Sequence, residues 1–135
     1  MEFTVEIDTH GTHFLSYLFD EIDEFNREMI FEQYKFIYSD KHKKIFEENL
    51  AKLISISNQK IFEDNDDKSI FCLTGKYRCK PFTIYDYKGD RCFHIGGNDD
   101  LDVLGLKSEL IKLIKNAAPT HFNMKSPYTN ELFSF

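Results

Sequence analysis

The first residues of the chain alternate. In "EFTVEID", Phe3, Val5 and Ile7 take every second position among Glu2, Thr4, Glu6 and Asp8, the period-two pattern of a strand with one buried face. From Thr12 the period lengthens: Phe14, Leu15, Leu18, Ile22, Phe25 and Met29 recur at helical spacing, with Asp20, Glu21, Asp23, Glu24 and Glu28 on the other side. That pattern predicts a helix with Thr12 as its N-cap. In "IFEQYKFIYSD", Ile30, Tyr34 and Ile37 suit a continuing helix and Tyr34, Phe36 and Tyr38 a strand; helix is expected, broken at Ser39 and Asp40. A further helix follows, with Ile45, Phe46, Leu50, Leu53 and Ile54 on one face, ending near "SISNQ".

After the polar loop "EDNDDK" the texture changes. "SIFCLTGKYRCKPFTIYDYKGDRCFHIGG" places β-branched and aromatic residues in short runs separated by Gly75 and Gly89, which predicts a three-stranded meander. With Gly75 and Lys76 as the two loop residues of its first hairpin, Cys72 and Cys79 are expected directly opposite each other. "LGLKSELIKLIKNAAP" is an amphipathic helix closed by Pro119. The expected fold is α+β: one domain over residues 1–135, with a mainly antiparallel four-stranded sheet made of the N-terminal strand and the meander. Three to four helices pack on it, and 119–135 is expected as a docked irregular tail.

Composition refines this picture. A chain of 135 residues, 41% apolar and 16% aromatic with no Trp, is long enough to bury a core, which should be rich in phenylalanine. A net charge of −6 argues against direct binding to nucleic acid, whose phosphates require clustered Lys and Arg. Neither a membrane span nor a signal-type leader is expected from "MEFTVEIDTH", so the reading is cytoplasmic. Cys72, Cys79 and Cys92 lack zinc or redox spacing and are expected as thiols, two or three of them buried.

The candidate chemistry is sparse. "DTHGTHF" brings Asp8, His10 and His13 together where the first strand ends, and a metal site drawing on His94 or a cysteine is one reading. The other is a turn, with Gly11 in it. "HGTHF" resembles the histidine motif of subtilisin-like serine proteases, which would make His10 a general base; the aspartate and nucleophile motifs of that family are absent. "GGNDDLDVLG" resembles one copy of the glycine-rich calcium nonapeptide repeat, which binds calcium only when stacked. His94 reads as a structural histidine, with a Cys92–His94 pair on one strand face as the reactive alternative.

Charge clusters remain. Glu63, Asp64, Asp66 and Asp67 form one, and Asp99, Asp100 and Asp102 another. These seven are the expected partner-binding residues, since a negative surface steers and docks onto a basic cleft. The expectation is a small acidic protein, without cofactor, that binds and inhibits or neutralises another protein, in the manner of an immunity protein against a nuclease-type toxin or of a phage inhibitor. The alternative is a metal-dependent or Cys/His-dependent enzyme built on Asp8, His10 and His13.

Overall fold

The computed structural model describes residues 1–19, 40–59, 71–87, 92–118, 123–125 and 132–134. Its strands are β1 (Glu2–Phe3), β2 (His13–Tyr17), β3 (Cys72–Tyr77), β4 (Lys80–Tyr85) and β5 (His94–Gly97), and its helices are α1 (Asp40–Ser57) and α2 (Val103–Asn116). The strands form one five-stranded sheet in the order β1-β3-β4-β5-β2, every pair antiparallel. The expected four-stranded sheet with three to four helices is thus corrected to a five-stranded sheet with two helices among the described residues, still broadly α+β. The helix expected over Ile30–Tyr38 lies outside the described residues, as does the expected first helix from Asp20 onward. Within the expected irregular tail, β6 (Asn123–Lys125) and β7 (Leu132–Ser134) pair antiparallel as a separate two-stranded sheet.

The fifth strand is where a helix was expected to start. In β2 the pairing register with β5 shifts between Phe14 and Ser16. Such a bulge adds a residue to one strand, so side chains three apart come to share a face. Phe14 and Tyr17 accordingly meet ring to ring at 5.0 Å, while Leu15 and Leu18 join the core on the other side. The bulge imitates the i, i+3 spacing of a helix, and Thr12 caps no helix there: its N–H and hydroxyl both donate to the carbonyl of Thr9.

The N-terminal strand is shorter than its alternation predicts, and Val5 is exposed. Gln59 explains this. Its side-chain amide donates to the Thr74 carbonyl at 2.6 Å and its Oε1 accepts from the Thr74 N–H at 3.0 Å, taking the position on the β3 edge that the continuing strand would occupy. Thr4 still meets Thr74 beside it: its N–H donates to the same carbonyl at 3.1 Å and its own carbonyl accepts from the Thr74 hydroxyl at 2.6 Å. Gln59 is placed by the end of α1, where Asn58 takes a left-handed φ of 52° and its N–H donates to the Ile54 carbonyl, a helix terminus of αL type.

The hairpin register differs too. Tyr77 pairs with Lys80 and Cys72 with Tyr85, so the two loop residues are Arg78 and Cys79. Both have positive φ, 50° and 66°, as a type I′ hairpin turn requires. Gly75 sits inside β3, where an added Cβ would lie 2.5 Å from the Phe82 ring and 2.5 Å from the Glu2 carbonyl; it is a close-approach glycine and not a turn glycine. Cys72 opens β3 and Cys79 lies in the turn beyond its other end, too far apart for a disulfide. All three cysteines are thiols; Cys92 alone is buried, while Cys79 is exposed.

One face of the sheet carries Leu73, Tyr77, Phe82, Ile84 and Ile95 into a single cluster with Phe46, Leu50 and Leu53 of α1 and Leu106, Leu110 and Ile114 of α2. Burial of this apolar surface is the main stabilising term. Among the described residues leucine is the commonest buried side chain, and phenylalanine contributes Phe46, Phe71, Phe82 and Phe93; Phe46 stacks on Phe93 at 4.8 Å, and Phe71 contacts both. No helix among the described residues is long and apolar enough to cross a membrane.

Candidate functional site

On the sheet face turned away from α1 and α2, β5 presents His94 and Gly96. β5 lies between β4 and β2, so residues paired across it become neighbours on one face. Tyr85 pairs with His94 from one side and Tyr17 from the other. The Tyr85 ring stacks on the His94 ring at 5.2 Å with 27° between planes, and Tyr17 meets it edge-on at 5.0 Å. Phe14, paired with Gly96, adds a second edge-on ring at 5.5 Å. Tyr87, just past the end of β4, closes the far side at 6.4 Å.

Gly96 makes room for this arrangement: a Cβ there would come within 2.5 Å of the Thr83 hydroxyl and 3.1 Å of the Tyr85 ring. The result is a cavity of about 260 Å³ lined, among the described residues, by Phe14, Tyr17, Tyr85, Tyr87 and His94. His94 is 7% exposed, whereas Phe14 and Tyr87 are 45% and 44% exposed. The histidine is therefore the floor and those two rings are the rim.

Comparison with family models, curated proteins and solved structures found no match.

The acidic turn lies at the other end of β5, and its aspartates each have a local partner. His13 Nε2 stands 3.0 Å from Asp99 Oδ1, Lys80 Nζ 2.8 Å from Asp100 Oδ2, and Arg78 3.5 Å from Asp102 Oδ2. Asp102 also caps α2, its Oδ1 accepting from the Gly105 N–H at 3.1 Å. The hydrogen bond and charge of Lys80 hold the Asp100 carboxyl below the usual carboxylate range, and the same contact raises the Lys80 ammonium above its own. Leu101 is anchored in the core between these aspartates, and its N–H donates to the Asn98 carbonyl. Glu63, Asp64, Asp66 and Asp67 lie outside the described residues.

Asp8, His10 and His13 are drawn into separate contacts. Asp8 Oδ1 accepts from the His10 N–H at 2.9 Å, a side-chain turn typical of Asp. Gly11 follows with φ +81° in the β-turn that the Thr12 N–H to Thr9 carbonyl bond closes. His13 is turned to Asp99. The junction is a turn between two strands, and among the described residues no group of three or more His, Cys, Asp or Glu is placed to hold a metal ion.

Four pocket residues were not singled out from the sequence: Phe14, Tyr17, Tyr85 and Tyr87. A signal existed in "YDY" and "HIG", where Tyr85 and Tyr87, and His94 and Gly96, share a face by period two.

Proposed function

We propose that this chain is a small acidic cytoplasmic binding protein that inhibits or neutralises another protein by docking an acidic surface on a basic cleft, as an immunity protein does to a nuclease-type toxin. The observation that carries the reading is the turn Asp99–Asp102: an exposed triplet of aspartates fixed in place by the buried Leu101 and by the cap that Asp102 makes on α2. A binding surface ordered before its partner arrives loses little conformational entropy on association. The Asp99 side chain is 94% exposed. Its contact with His13 is a solvent-exposed one of the kind that contributes little, so a partner's arginine or lysine exchanges for it at small cost. The net charge of −6 adds long-range attraction to a basic cleft.

The test begins with an affinity pull-down from the native host, followed by binding measurements with the purified partner. Asp99→Lys combined with Asp100→Lys should weaken binding by about tenfold or more, mostly through slower association and with a steep salt dependence. Asp102 is kept because it caps a helix. Binding that is unchanged by the double reversal and flat from about 50 to about 300 mM salt would refute the docking surface.

A further inference from the structure

We infer that the cavity over His94 is a binding site for a methylated ammonium group, independent of the acidic turn. Every side chain lining it among the described residues is an aromatic ring. An ordinary apolar pocket draws on Leu, Ile, Val and Met as well, whereas a wall made only of rings gathers several aromatic quadrupoles around one volume. That is the arrangement that attracts quaternary ammonium groups. The rings come from three strands: Phe14 and Tyr17 from β2, Tyr85 from β4 and His94 from β5, with Tyr87 just beyond β4. A convergent wall of this kind is built by the fold and not by one local segment.

Size and charge narrow the ligand. At about 260 Å³ the cavity falls just below the range of roughly 300–1,000 Å³ that encloses a drug-sized molecule, so it suits one head group and not a whole ligand. No lysine or arginine lines it among the described residues, and the chain carries −6 overall, which favours a cation over a phosphate or carboxylate. The half-exposed rim of Phe14 and Tyr87 leaves room for whatever bears the head group to extend into solvent. That bearer is either a free small molecule of choline type or a trimethylated lysine in a peptide; both offer the same chemistry.

The experiment titrates the full chain with choline, with a trimethyllysine peptide and with dimethylbutanol, the uncharged carbon isostere of choline, following the ring resonances of Phe14, Tyr17, Tyr85 and Tyr87 by NMR. Saturable shifts confined to these rings are expected with the cations, with the isostere about fivefold weaker or worse. A peptide that binds more tightly than choline assigns the group to a side chain, and the reverse order assigns it to a free head group. Tyr85→Leu should weaken cation binding by about fivefold or more. Because that ring packs on His94, Phe14→Leu and Tyr87→Leu, at the exposed rim, provide the same test in variants whose cores are untouched. Equal affinity for the isostere, or no ring shift with either cation, would overturn the assignment.

Discussion

Gln59 offers a direct test of how the sheet edge is finished. It is 6% exposed and makes two hydrogen bonds to the backbone of Thr74, accepting from its N–H at 3.0 Å and donating to its carbonyl at 2.6 Å. Gln59→Met keeps the length of the side chain and removes both. The Thr74 carbonyl retains the Thr4 N–H, so its loss is one ordinary hydrogen bond, about 0.5–1.5 kcal/mol. The Thr74 N–H loses the partner that Gln59 supplied, and a buried unsatisfied donor costs about 1–3 kcal/mol. The sum is roughly 1.5–4.5 kcal/mol, and since Thr74 is only partly buried, admitting some water, a value towards the lower end, about 2 kcal/mol, is expected. With a urea m-value of roughly 1–3 kcal/mol/M, the unfolding midpoint should fall by about 1 M. Gln59→Glu provides a control with a sign. It sets an oxygen against the Thr74 carbonyl oxygen where a donor stood, so it should destabilise at neutral pH and recover in acid, as protonation restores a donor. A methionine variant whose midpoint moves by less than about 0.3 M, or a glutamate variant indifferent to pH, would refute the account.

Two further outcomes are expected. Cys79→Gly should stabilise the fold by about 0.5–1 kcal/mol in a thermal or urea melt: relief of a left-handed conformation is worth about 1–2 kcal/mol for a non-glycine residue, offset by about 0.4–1 kcal/mol of added freedom in the unfolded chain, whereas destabilisation would show that the turn is not of the type its dihedrals imply. For the Lys80–Asp100 pair, Asp100 is held below the usual carboxylate range by the Lys80 hydrogen bond, so its stabilising contribution is present at neutral pH and is lost as pH falls through that lowered value. Lys80→Ala should return the Asp100 titration, followed by carboxyl NMR, towards the ordinary range, and high salt should do part of the same because both groups are exposed.

The legible parts of this fold are those whose period is undisturbed. The helix over Phe46, Leu50 and Leu53 and the helix over Leu106, Leu110 and Ile114 follow from i, i+4 repetition, and both sit with those residues in the core. Three departures share one origin: local geometry and contacts of the backbone that a hydrophobic pattern does not encode. A bulge in β2 turned a strand into an apparent helix. A glycine required for the approach of Phe82 was taken for a turn glycine, while Arg78 and Cys79 made the turn with positive φ. A glutamine amide ended a strand that alternation alone would have continued.

The same reasoning explains why the pocket was hidden while the acidic turn was visible. Asp99, Asp100 and Asp102 are neighbours in sequence, so their proximity needs no fold, and what the structure adds is their pairing with His13, Lys80 and Arg78. The aromatic wall depends on strand order. β5 lies between β4 and β2, which brings Phe14 and Tyr17 beside Tyr85 and His94 across a long sequence separation, and the bulge is what turns Phe14 and Tyr17 to the same side. A helix at Thr12 would have sent those two rings to a different surface. The pocket and the fifth strand therefore stand or fall together: a change that removes the bulge in β2 should dismantle the ring cluster around His94 while leaving the acidic turn, which Leu101 and α2 hold from the other side, largely in place.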